Sequence, residues 1–247
     1  APSRSKLMFL VVVLSMPLLT GASARGCGGE DSSVVRQDRV FTQYWLFYDA
    51  NADVTFARAT FRLGHGLGTV LELTAPAKVT FNDKALSFQP VPGWHELQLP
   101  GRVTGTFVYA NVDGERFTVE VPALPEVAVQ SDLTIPAGRA FTFAWQGPPI
   151  ARDERLEVIV TGENKLDFSI IEQRGVGAVD VVLPADKTRR FNAQGWLGLR
   201  RTLEAVARQS PDAGGVVWAT SQPKDARVTW GATSTDAGAD GGTDAGR

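Results

Sequence analysis

The strongest constraint in this chain is a two-residue alternation that restarts after every turn. In FTQYWLFYDANADVTFARATFRLG, Tyr44, Leu46 and Tyr48 fall on one side of an extended chain, and Trp45 and Phe47 on the other. Successive side chains of a strand point to opposite faces, so such a run reads as a strand with two different faces. The polar DANAD stretch then turns the chain, and the alternation resumes from Phe56 to Phe61, which makes a hairpin. KVTFNDKALSF holds two short apolar pieces around Asn82-Asp83, a pair that tolerates positive φ. GTFVYANVDGERFTVEV sets two β-rich runs either side of Asp113-Gly114, a strong short-range hairpin signal.

The pattern weakens in VPALPEVAVQSDLTIPAG, where Pro122, Pro125 and Pro136 bracket a poorer strand, and then returns in RAFTFAW, RLEVIVTG, LDFSII, AVDVVLP, GVVWATS and ARVTW. One segment, GWLGLRRTLEAVARQS, contains residues tolerable in a helix. Its alternation of Leu197, Leu199 and Leu203 against Gly198, Arg200 and Thr202 favours a long strand. Strands recurring every eight to twelve residues with turn residues between them predict an all-β protein. The expected organisation is two tandem immunoglobulin-like antiparallel β-sandwich domains, over 34–122 and 123–231.

Both ends read differently. Arg4 and Lys6 precede an apolar run from Leu7 to Leu19 broken by Pro17, then the small residues Thr20 to Ala24. That is the plan of an export signal over 1–26, and the run is shorter than the roughly 20 residues of a spanning helix. The chain's one cysteine, Cys27, follows immediately. A single cysteine forms no internal disulfide, and a free thiol is a liability in an oxidising compartment, whereas acylation consumes it. Gly26-Cys27 matches the end of a bacterial lipobox, although Ala24 and Arg25 are not its preferred residues, so Cys27 is the expected lipidation site. The alternative is cleavage after Ala24, within Ala22-Ser23-Ala24, giving a soluble secreted carbohydrate- or protein-binding protein. Residues 27–33, ending Gly28-Gly29-Glu30-Asp31-Ser32-Ser33, read as a flexible tether. The 232–247 stretch is nearly all Asp, Gly, Ala, Ser and Thr, has no large apolar side chain to bury, and reads as a disordered tail.

These residues also carry a resemblance. LTIPAGRAFTFAW, LGLRRTLEA and GGVVWATSQ with ARVTW resemble immunoglobulin-like domains of bacterial envelope proteins. YWLFYDANADVTFARATFRLG, GTVLELTAPAKVTFND and GTFVYANVDGERFTVEVP are similar to predicted lipoproteins of myxobacterial type. The resemblance covers most of the body and implies a location and a fold, a membrane-anchored envelope protein, outer-membrane in the simplest case, and no activity. The expected function is a non-catalytic envelope lipoprotein that presents its two β-sandwich domains for protein or surface interaction, with an envelope protein or glycan as partner.

Chemistry is sparse. The formal net charge of −2 argues against a nucleic-acid binder, whose footprint would be basic. The two histidines, His65 and His95, read as turn and surface residues; His95-Glu96 lacks the second histidine of H-E-x-x-H. There is no G-x-S-x-G elbow in the body, no Cys-His pair and no phosphate-binding loop, so neither an enzyme nor a cofactor is expected. Asp49, Asn51 and Asp53 place oxygen ligands at alternate positions, as a calcium loop opens, but Val54 stands where that loop needs glycine and Thr60 where it needs glutamate. Trp94, Trp196 and Trp218 are candidate ligand-contact aromatics, and Arg189, Arg190, Arg200 and Arg201 a candidate anion-binding group.

Overall fold

The computed structural model describes residues 29–130, 133–164, 166–191 and 193–231. The export segment, Cys27 and the tail 232–247 lie outside the described residues. The protein is all-β. In its first half run β1 (Glu30–Asp31), β2 (Val40–Asp49), β3 (Val54–Leu63), β4 (Val70–Glu72), β5 (Lys78–Phe81), β6 (Lys84–Ala85), β7 (Ser87–Gln89), β8 (Trp94–Pro100), β9 (Thr106–Ala110) and β10 (Arg116–Glu120). The second half adds β11 (Leu133–Pro136), β12 (Phe141–Ala144), β13 (Glu154–Gly162), β14 (Phe168–Gln173), β15 (Asp180–Leu183), β16 (Ala193–Val206), β17 (Gly215–Gln222) and β18 (Ala226–Gly231). A one-turn helix, Ala185–Thr188, precedes β16.

The turns behave as their residues dictate. Asn82 and Asp83 both adopt positive φ, 46° and 63°, between β5 and β6, and Gly114 does so at 84° between β9 and β10. The GWLGLRRTLEAV segment is a strand throughout, β16, fourteen residues long. Its leucines alternate into a buried face, and that burial outweighs its tolerable helix propensity.

Strands β4, β3, β2, β17, β16, β13 and β14 lie side by side in one large sheet, with β1 beyond β4 and β8 also pairing with β3. Two smaller sheets, β10-β9-β5-β6 and β12-β15, cover it. Register shows that both cover the same face. Tyr44 stands opposite Val217, Val217 opposite Ala205, Leu203 opposite Glu154, and Leu199 opposite Val158, so all of these point to one side. On that side Tyr44 and Phe61 meet Phe107 and Tyr109 of the four-stranded sheet, with ring centroids 5.1 Å apart for Tyr44–Phe107 and 4.6 Å for Phe61–Tyr109. All four are fully buried; each such side chain contributes roughly 1.5–3 kcal/mol. Further along, Leu156, Val158, Val160, Leu197 and Leu199 meet Phe143, Val181 and Leu183 of the two-stranded sheet.

The expected division between 122 and 123 therefore separates two cores but not two sheets. β2 pairs with β17 in parallel from Thr42 to Asp49, Gly215 opposite Thr42 to Gln222 opposite Asp49. Ala205, Ala207, Val217 and Ala219, assigned by sequence to the second domain, pack in the first core. β16 makes this possible by its length: Ala193–Leu197 pairs with β18, and Arg201–Val206 with β17. Near this change of partner Arg201 is fully buried, donating to the carbonyls of Pro148 and Pro149 and paired with buried Glu154.

The expected tether also needs correction from Gly29 onward. Glu30–Asp31 pairs with Leu71–Glu72, Asp31 accepts a hydrogen bond from the Ser33 N–H, and Ser32 is fully buried, accepting from the Thr74 N–H. Gly29 allows the approach, because a Cβ there would lie 2.7 Å from the Glu72 nitrogen. His95 is likewise not a surface residue. It is 4% exposed, on the same side of β8 as buried Leu99, and its ring lies between Phe61 and Phe88.

Candidate functional site

The opposite face of the large sheet carries no covering layer among the described residues, and its side chains form cross-strand rows. One row runs Glu96, Arg58, Trp45, Trp218, Glu204 across β8, β3, β2, β17 and β16. The next runs Gln98, Phe56, Phe47, Thr220, Thr202, Arg155. Farther along lie Arg200, Glu157 and Glu172, then Gly198, Ile159 and Ile170, then Arg227, Trp196, Thr161 and Phe168. Cross-strand neighbours are near enough to interact directly, so each row is a line of contacts.

Arg58 organises the first two rows. Its guanidinium lies 4.4 Å from the Trp94 ring centroid, 4.9 Å from Phe56 and 5.3 Å from Trp45, and its Nε donates to Glu96 Oε2 at 2.6 Å. Cation–π contacts and an ion pair thus converge on one half-buried arginine. Burial pushes the Glu96 carboxyl up, but hydrogen bonds from Gln98 and Arg58, with the arginine's charge, outweigh it and hold the group below its ordinary value. Trp45 and Phe47 stack at 5.7 Å, and Phe47 and Phe56 at 5.8 Å. Trp45 Nε1 donates to Thr220 Oγ1 at 2.8 Å, and Trp218 Nε1 to Glu204 Oε2 at 2.9 Å. These bonds fix the indoles, whose rings stand packed against neighbours while remaining partly exposed.

A groove of about 300 Å³ opens at the far end of this face, lined by Ile159, Phe168, Ile170, Trp196 and Gly198, with Arg200, Gln222 and Asp225 along its polar side. Gly198 makes room for it: a Cβ at that position would stand 2.8 Å from Asp225 Oδ1.

All three sequence-selected tryptophans, Trp94, Trp196 and Trp218, therefore lie on this face. Trp94 and Trp218 belong to the arginine-bound array, and Trp196 lines the groove, with Arg227 5.9 Å from its ring. The sequence reading did not select Trp45, Phe47, Phe56 and Arg58, although the alternation that places Trp45 and Phe47 opposite Tyr44 and Leu46 carried the signal. The four arginines do not come together. Arg201 is buried with Glu154, Arg190 donates to the Phe168 carbonyl, and Arg200 faces Glu157 across the open sheet.

Asp49, Asn51 and Asp53 are occupied by the β2–β3 turn. The Asn51 N–H donates to Asp49 Oδ1 at 2.8 Å, the Asn51 amide exchanges hydrogen bonds with Asp225, and Asp53 accepts from Tyr48. Among the described residues no three His, Cys, Asp or Glu side chains are grouped to hold a metal ion.

No protein-family model and no curated protein sequence matches the chain. Among solved structures, it is similar to the crystal structure of chicken CNTN1 FN1-FN3 domains at 10% sequence identity, with a TM-score of 0.23 over 67% of this chain; the chain spans 62% of that structure's length.

Proposed function

We propose that this is a non-catalytic interaction module of the cell envelope, which presents the open face of its large sheet to a protein partner. The carrying observation is the aromatic and arginine array centred on Arg58, set on the one face of the sheet that neither small sheet covers. Trp and Arg are enriched among the residues that dominate protein interfaces, and the array holds them rigid before any partner arrives. A protein partner suits these rings better than a sugar. Stacking on a pyranose needs an open ring face, and the Arg58 guanidinium already lies against Trp94. On this reading Cys27 carries the acyl groups that retain the protein at a membrane.

Photo-crosslinking in the producing cell tests the docking face. A photoreactive residue at Trp218 is expected to give a discrete protein adduct, and the same residue at Lys84, in the sheet on the other side, none. Equal labelling from both positions, or from neither, sinks the assignment. The mass of the N-terminal peptide tests the anchor separately: an acylated start at Cys27 supports it, and an unmodified start at Arg25 removes it.

A further inference from the structure

The large sheet ends at β14, a six-residue edge whose one charged side chain is Glu172. Its sequence is FSIIEQ, and among the described residues it pairs only with β13. The phase of that pairing fixes which backbone groups are spent. The Gly162 N–H donates to the Asp167 carbonyl, so residues 167, 169, 171 and 173 direct their N–H and C=O groups at β13. Phe168, Ile170 and Glu172 direct theirs away from it. An independent contact agrees: the Arg190 guanidinium reaches the Phe168 carbonyl from outside the sheet. No hydrogen bond among the described residues reaches the outward N–H and C=O of Ile170 or Glu172.

Apolar surface is also exposed along this part of the chain. Among the described residues, six of the ten exposed large hydrophobic residues lie between 166 and 182 in sequence: Leu166, Phe168 and Ile170 at the edge, then Val176, Val179 and Val182 in the following turn and β15. Phe168 is 54% and Ile170 47% exposed, and both stand on the outer face beside the Trp196 groove. An unpaired apolar edge of this kind is a template for another strand, and proteins that leave one uncovered usually guard it with charge or proline. Arg190 guards only the first carbonyl.

We propose that a second copy of this chain pairs with this edge, β14 against β14 in antiparallel, about a two-fold axis through Ile170. The edge complements itself in that register. Ile170 meets Ile170 of the second copy, Phe168 meets Glu172, Ser169 meets Ile171, and no like charges stand opposite one another. Glu172 is already neutralised by Arg174 at 2.7 Å. Sliding the register two residues towards Glu172 on each strand would put Glu172 opposite itself, which like-charge repulsion disfavours. The axis stands perpendicular to the sheet, so both copies turn their aromatic faces to the same side. The pair is then one continuous sheet with two partner-binding faces, an arrangement that raises avidity for a multivalent partner. This inference does not depend on what that partner is.

The test uses protein expressed from the full sequence with Cys27→Ser, which removes both the native thiol and any acyl chain. Sedimentation equilibrium is expected to show a concentration-dependent monomer–dimer equilibrium. Ile170→Lys is expected to shift it to monomer without changing the circular dichroism spectrum, because the side chain is already half exposed. Ile170→Pro is expected to do the same, since it removes an outward N–H and no bond to β13. Mild oxidation of Ile170→Cys is expected to give a covalent dimer, as Cα atoms of a hydrogen-bonded antiparallel pair stand about 5.5 Å apart, within disulfide reach; Val206→Cys, at a more exposed position away from this edge, gives none. A wild-type protein that stays monomeric at every concentration, or a dimer indifferent to Ile170→Lys, overturns the proposal.

Discussion

His95 shows how a single residue ties the fold to solution conditions. It sits on the core side of β8, its Nδ1 has no hydrogen-bond partner among the described residues, and burial lowers its pKa to about 4. In the unfolded chain the imidazole titrates near 6.5. The unfolded state therefore binds the proton first, and stability falls as pH drops from about 6.5 towards 4, by at most roughly 3 kcal/mol. Above that window His95 contributes no slope. Glu96 acts at more acid pH: its folded pKa is depressed, so its contribution is present above its unfolded value and is lost as pH falls through the folded one. His95→Leu is expected to flatten the limb between pH 6.5 and 4 while leaving the more acid one, as read by urea titrations across that range. An unchanged slope would place the proton uptake elsewhere. The sequence reading missed this burial because it weighed histidine as a polar type; the alternation in WHELQL, which puts His95 on the same side as Leu97 and Leu99, was the better guide.

At the scale of elements, turns and strand faces were legible because their causes are local. Asn82-Asp83 and Asp113-Gly114 turn as their backbone freedom requires, and β2 buries alternate residues as its pattern demands. Pairing across distance was not legible: nothing in GVVWATSQ says that its neighbour is FTQYWLFYD, nor that the pair runs parallel. The candidate face was half legible for the same reason. Each strand announced an outward aromatic, but only the sheet brings Trp45, Phe56 and Trp94 around Arg58. The Gly198 groove was not foreseeable, since it depends on Asp225 arriving from the β17–β18 turn. Gly198→Val is expected to displace Asp225 and break its clasp with Asn51, lowering stability by about 1–3 kcal/mol. Thermal denaturation measures the loss, and Gly198→Ala should show a smaller one.

At the scale of the whole molecule, the decisive feature is that two cores share one sheet. Proline-rich chain between 122 and 136 suggests separable domains, and each core does have its own covering sheet. Yet the first core is completed by β17 and the end of β16, more than eighty residues beyond that boundary. Residues 29–122 alone would leave β2 with an unpaired edge along ten residues and would remove Ala205, Ala207, Val217 and Ala219 from around Tyr44 and its neighbours. Such a fragment is expected to lack a cooperative thermal transition, whereas the intact chain melts in one step because neither core survives loss of the shared strands. Calorimetry distinguishes the cases: a single transition whose calorimetric and van't Hoff enthalpies agree marks one folding unit, and two resolved transitions would mean that the β2–β17 seam holds little. The same seam fixes the candidate face. Trp45 and Trp218 are neighbours only across it, so any substitution that parts β2 from β17 should abolish partner binding along with the cooperativity, even when no residue of the face itself is changed.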